Sequence, residues 1–126
     1  MATVNEILIN ALSDIAPTYP WVLDEDDATE RDLRRILFNY SVLPHGYADD
    51  APIYDRYLIQ VHYFCPADDD SVAVRKAVRK AIFGAGMTYP SEVAVGTGMH
   101  QASAEQHYCF ETEYLEPIWS DDDGES

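Results

Sequence analysis

An α+β domain is predicted by three features of this 126-residue sequence. The stretch Tyr57 to Cys65 alternates with period two: Tyr57, Ile59, Val61, Tyr63 and Cys65 form an apolar set, and Leu58, Gln60, His62 and Phe64 a mixed one. Such alternation marks a strand with one face toward a core. Two segments carry apolar residues at helical spacing, each with start and stop signals. Other strand-like runs flank these segments. The order helix, two strands, helix, two strands predicts a mostly antiparallel four-stranded sheet with helices packed on one face. The domain is expected over residues 1–116, and residues 117–126 are expected to be a disordered acidic tail.

The first helix is predicted from Thr3 to Ile15. Thr3 and Glu6 have the spacing of a capping box, and Ile7, Leu8, Ala11, Leu12 and Ile15 form one stripe. Pro17 ends it. Pro17 to Glu30 reads as a connection, with Tyr19, Pro20, Trp21 and Val22 against the body and Asp24-Glu25-Asp26-Asp27 as a wet acidic loop. From Arg31 to Leu43 two patterns compete. Leu33, Ile36, Leu37 and Tyr40 fit a helix, whereas Ile36, Phe38, Tyr40 and Val42 fit a strand. Composition favours the strand, from about Arg34 to Val42.

Pro44-His45-Gly46 signals a turn, and the loop through Asp50 joins this strand to the long one as a hairpin. Nine alternating residues exceed the usual strand of about 5–6, so the long strand is expected to project past its own sheet. Asp70 or Ser71 caps the second helix, with Val74, Ala77, Val78, Ala81 and Ile82 buried and Gly84 and Gly86 stopping it. A third strand is expected around Val93 and Val95. Gly96-Thr97-Gly98 connects it to a fourth from Gln106 to Leu115. There Tyr108, Phe110 and Tyr114 face one way and His107, Cys109, Glu111 and Glu113 the other.

The formal net charge is −15, with 23 Asp and Glu against 8 Lys and Arg. Lys76 and Lys80 are the only lysines. Phosphate backbones repel such a chain, which argues against wrapping nucleic acid. A solvated surface, a lining that DNA passes without sticking, and adaptation to a salty habitat each fit the acidity. The basic cluster Arg75, Lys76, Arg79 and Lys80 lacks interleaved aromatics and reads as a solvated helix face. No run is long enough to span a membrane and the start lacks the layout of a signal peptide, so residence in the cytoplasm where it is made is expected. Cys65 and Cys109 are expected to be buried free thiols.

Nucleophile-elbow, P-loop, dinucleotide and paired-cysteine motifs do not occur. The acidic run at residues 24–27 lacks the ligand spacing and glycine of a calcium loop. His107 and Cys109 share a strand face, whereas His62 and Cys65 point to opposite faces. A zinc set would need His62 and His107 on neighbouring strands, same face, plus further ligands. No enzymatic activity, cofactor or metal is expected.

Taken together, the acidic turn Tyr47-Ala48-Asp49-Asp50, the strand Tyr57-Leu58-Ile59-Gln60-Val61-His62, the Asp/Ser-capped basic helix, the glycine break and the closing strand Tyr108 to Tyr114 resemble the tail-terminator or tail-completion (minor tail) proteins of long-tailed bacterial and archaeal viruses. The resemblance runs from about Arg34 to Leu115. The chain departs from that pattern in its acidity and its acidic tail. The resemblance implies a virion structural protein, made in the host cytoplasm and placed at the head–tail junction. Copies would form a ring, typically of six, on the last ring of the tail tube protein, stop tube growth and meet the head-side connector protein. Encapsidated DNA would pass through without specific binding. Subunit contacts are expected at Tyr47, Asp49, Asp50 and Tyr54 in the hairpin turn and at Leu58, Gln60 and His62 on the exposed strand face. A head–tail connector or adaptor at the same junction, an acidic DNA mimic and a small metal protein are the competing readings.

Overall fold

The computed structural model describes residues 2–21, 33–48, 51–96 and 105–118. The expected acidic loop at 24–27, Asp49 and Asp50, the connection at 97–98 and the tail from residue 119 lie outside these residues. The elements are α1 (Val4–Leu12), β1 (Thr18–Pro20), β2 (Arg35–Ala48), β3 (Ala51–Pro66), α2 (Val72–Gly84), β4 (Ser91–Gly96) and β5 (Glu105–Pro117).

The sheet has five strands in the order β1-β2-β3-β5-β4, one more than expected. The extra strand, β1, lies within the predicted connection. It runs parallel to β2, with Thr18 opposite Ile36 and Pro20 opposite Phe38. Three residues bounded by prolines are too short to show alternation, so no sequence period reveals it. The other pairings are antiparallel. The sheet is therefore mixed, and the ambiguous segment is a strand.

The long hairpin dominates. β2 has 14 residues and β3 has 16, each more than twice the usual length. Register runs from Arg35 opposite Phe64 to Ala48 opposite Ala51. Gly46 takes φ +71 near the tip, where an added Cβ would lie 3.1 Å from Ile53 Cγ1. On its other edge β3 pairs with β5, from Tyr54 opposite Pro117 to Pro66 opposite Glu105. Both edges of β3 are thus occupied.

Both helices cover one face. The odd residues of β3, with Ile36, Phe38, Tyr108 and Phe110, meet Val4, Leu8 and Leu12 of α1 and Val78 and Ile82 of α2 in one core. The α1 capping box is present: Glu6 N donates to Thr3 Oγ1 at 3.2 Å, and Thr3 N donates to Glu6 Oε1 at 2.9 Å. At α2, Ser71 holds the N-cap position without bonding the helix amides. Its hydroxyl donates to Gln106 Oε1 at 3.1 Å instead. Asp70 Oδ1 accepts from Val72 N at 3.4 Å.

Gln106 fastens the β3–α2 turn to β5. Its Nε2 donates to the carbonyls of Pro66, Ala67 and Asp69 at 3.0, 3.1 and 2.8 Å. Opposite, the α2 arginines are not a free solvated face. Arg75 and Arg79 both pair with Glu92 of β4, and Arg75 lies 4.2 Å over the Tyr108 ring. These contacts tie α2 to the sheet edge.

Gln106→Leu would keep the volume and remove the side-chain donor from the three carbonyls, of which Pro66 O keeps its bond from Asp69 N. It should destabilise the domain by about 2–4 kcal/mol. Urea unfolding with an unchanged m-value checks this, with Ile82→Ala as the reference for a core cavity at about 2–5 kcal/mol.

Candidate functional site

The face of the sheet away from the helices carries the polar and titratable side chains. Alternation puts Arg35, Leu37, Asn39 and Ser41 of β2 there, with Leu58, Gln60, His62 and Phe64 of β3 and His107, Cys109, Glu111 and Glu113 of β5. This confirms the face assignments made for both long strands.

At one end of this face sits a ring cluster. His62 lies opposite Cys109, one step from the Phe64–His107 pair. His62 Nδ1 and His107 Nε2 are 2.8 Å apart, a hydrogen bond that needs one imidazole to donate and the other to accept. Phe64 stacks on His107 at 4.2 Å. Trp21, just beyond β1, approaches His62 edge-on at 4.7 Å and Phe64 at 5.9 Å. Arg35 lies 4.3 Å over the Phe64 ring and pairs with Glu105 at 2.9 Å.

Burial holds this cluster neutral at the imidazoles. His62 is lowered from 6.5 to about 4, by desolvation first and by His107 second. His107 is also lowered, mainly by desolvation. Burial pushes the Cys109 and Cys65 thiols up. At neutral pH neither thiol is a ready nucleophile, and the imidazole pair is a poor proton shuttle.

The juxtaposition that a zinc set would require does occur: His62 and His107 share a face on neighbouring strands. Their nitrogens are nevertheless at hydrogen-bond distance, closer than the roughly 3.3 Å of two nitrogens on one tetrahedral zinc. Among the described residues no group of three or more His, Cys, Asp or Glu is placed to hold a metal ion.

Beyond the cluster the face becomes an open polar dish of about 570 Å³. Asn39, Ser41, Gln60, Ser91, Glu111 and Glu113 line it. Gln60 Nε2 donates to Glu111 at 3.3 Å. Arg56 makes a two-pronged pair with Glu113 at 3.1 and 3.0 Å. The charges here are largely paired.

The expected contact residues separate into four groups. Leu58 and Gln60 lie on the dish. His62 is buried under Trp21, not exposed as expected, because the neighbouring rings on β3 and β5 and the chain after β1 close over it. Tyr54 is half-buried at the hairpin end, its ring 6.5 Å from His45. The Tyr47 side chain, Asp49 and Asp50 lie outside what the structure describes. Trp21 was expected against the body but not over His62, and Arg35 and Glu105 were not singled out, since their meeting depends on strand register.

Tyr40, Val42 and Leu43 on β2, and Val93 and Val95 on β4, are exposed. They lie on the two sides of the sheet where, among the described residues, the hydrogen-bonding edges have no partner strand. No protein-family model matches the chain, and no curated protein matches it.

The imidazole pair sets a pH dependence. Because the folded pKa values lie below the unfolded value, the neutral pair stabilises the fold fully above about pH 6.5. That contribution is lost as pH falls toward 4, where the unfolded chain takes up protons first. Between pH 6.5 and 5, where carboxylates hardly titrate, the urea midpoint should fall. For His62 alone the full loss is on the order of 3 kcal/mol. His62→Gln with His107→Gln should flatten that limb of the stability–pH curve.

Proposed function

We propose that this chain is a structural virion protein that forms a ring of six copies at the head-proximal end of a viral tail tube, ends tube growth and joins tail to head. The observation that carries this reading is a sheet built for lateral association. A hairpin of 14- and 16-residue strands reaches past a three-residue edge strand, leaving apolar residues exposed at two opposite margins. Open edges of this kind template assembly unless they are blunted by lysine, proline or a covering element. The helix–hairpin–helix–strand order and the resemblance from Arg34 to Leu115 supply the specific setting. A head–tail connector at the same junction would use the same geometry.

An acidic DNA mimic is less well supported. Asp69, Glu92, Glu105 and Glu113 are each paired with an arginine, so these four are not free to imitate phosphates. A mimic needs carboxylates free and spaced like phosphates.

Mass measurement across concentration and salt, with negative-stain images of the same samples, tests the proposal. Closed rings with a central hole, and a cap at one end of added tail tubes, are expected. A chain that remains monomeric at high concentration and leaves both tube ends bare contradicts it.

A further inference from the structure

We infer that the ring is closed by a strand pair between copies, in which β4 of one copy lies antiparallel to the segment Asn39–Leu43 of β2 in the next. This rests on the ring reading above and assigns its interface. The occupant of each open edge is thus a second copy of this chain.

Among the described residues, two margins of the sheet lack a partner strand. On one side β1 covers only Ile36–Phe38 of β2. Ile36 N donates to Pro17 O and Phe38 O accepts from Trp21 N, so even residues of β2 turn their backbone groups away from β3. Tyr40 and Val42 continue that series, with no strand partner on that side among the described residues. Pro44 is next and has no N–H, so it ends the usable edge. On the other side, Glu113 O accepts from Thr88 N, so odd residues of β5 face β4. Their partners Ser91 and Val93 face back, which leaves Glu92 and Ala94 directed outward. Neither strand carries a lysine.

Direction comes first. β2, β3, β5 and β4 alternate in direction, so β4 runs opposite to β2. Repeating the copy around an axis along the strands preserves each direction. It therefore sets β4 antiparallel to β2 of the next copy, the more stable arrangement. Because two different margins meet, the contact is head-to-tail, as ring closure requires.

Register comes next. Through the sheet, Ser91 is level with Asn39, Val93 with Leu37 and Ala94 with Ile36. An unstaggered ring would therefore drive β4 into the stretch that β1 already occupies. Closed barrels are staggered, by about one residue per strand at a tilt of about 36°. Four strands per copy give a stagger of about four residues. β3 and β4 are parallel and joined through α2, a connection that takes the right-handed sense. With that sense and the helices outside, the right-handed coil of the strands carries the stagger toward higher numbers on β2.

The result places Ser91 opposite Leu43, Val93 opposite Ser41 and Ala94 opposite Tyr40 of the next copy. This register clears β1 and stops before Pro44. An even shift also keeps every side chain on its own face. It brings the outward backbone groups of Glu92 and Ala94 onto those of Val42 and Tyr40. The dish and ring cluster then line the inside of the ring, and the hairpin face containing Leu58 and Gln60 is lumen rather than subunit contact.

Paired cysteines test the register. Ser91 and Leu43 would form a non-hydrogen-bonded antiparallel pair, with Cα atoms within disulfide range. Ser91→Cys with Leu43→Cys, oxidised at a concentration where the unmodified protein forms rings, should give a ladder of covalent oligomers on a non-reducing gel. Each single variant should stay uncrosslinked. Dimers from Ser91→Cys alone would mean that β4 pairs with itself about a two-fold axis and would overturn the inference. Rings without a ladder would overturn the pairing and leave the ring standing. Absence of rings from the unmodified protein would remove both. As a second variant, Val42→Pro deletes an outward N–H that has no partner among the described residues. It should raise the half-assembly concentration by about tenfold or more with the monomer still folded. Unchanged assembly would overturn the inference.

Discussion

The double pairing of β3 is the constraint on which the rest of the structure depends. A 16-residue strand with β2 on one edge and β5 on the other fixes three long strands in register. Once that register is set, side-chain alternation decides everything placed on the two faces. The odd residues of β3 define the floor of the core, and α1 and α2 pack on it. The even residues define the opposite face, where a histidine pair and an arginine–glutamate pair meet across strands. A one-residue slip would exchange these faces, burying Gln60 and exposing Val61.

The two faces are stabilised by different physics. The helix side relies on apolar burial by Leu8, Leu12, Val78 and Ile82, each with no accessible surface. The other side is closed only at one end, by rings and cross-strand pairs around His62 and His107. Those imidazoles are kept neutral by burial, and so the cluster adds rigidity in neutral conditions and becomes a burden in acid. Toward the hairpin tip the same face is open and polar. In a ring with the helices outside, the graded face would present paired charges, such as Arg56 with Glu113, toward the lumen.

Much of this was legible in the residues. Alternation identified both faces of β3 and β5, the capping box placed α1, and helical spacing picked out Val78 and Ile82 as the buried stripe of α2, whereas Ala77, expected with them, is exposed. β propensity chose the strand from about Arg34 to Val42 where periodicity alone was divided, and β2 begins at Arg35. What stayed hidden depends on long-range register. β1 is too short to carry a period. The exposure expected for His62 followed from its polar neighbours on β3, whereas its burial comes from Trp21, about forty positions earlier in the chain. Glu92 likewise looks like an ordinary edge carboxylate until α2 brings Arg75 and Arg79 onto it. The long strand was expected to project past its own sheet, but it is interior and paired on both edges; the margins without a partner among the described residues belong to β2 and β4.

Hydrogen exchange, followed amide by amide in dilute monomer and in assembled protein, tests the central claim most directly. The account predicts that amides across β3 are the slowest in both states. Those of Tyr40, Val42, Glu92 and Ala94 should exchange quickly in the monomer and become protected on assembly. Fast exchange at those four amides in both states, with new protection appearing elsewhere, would contradict it.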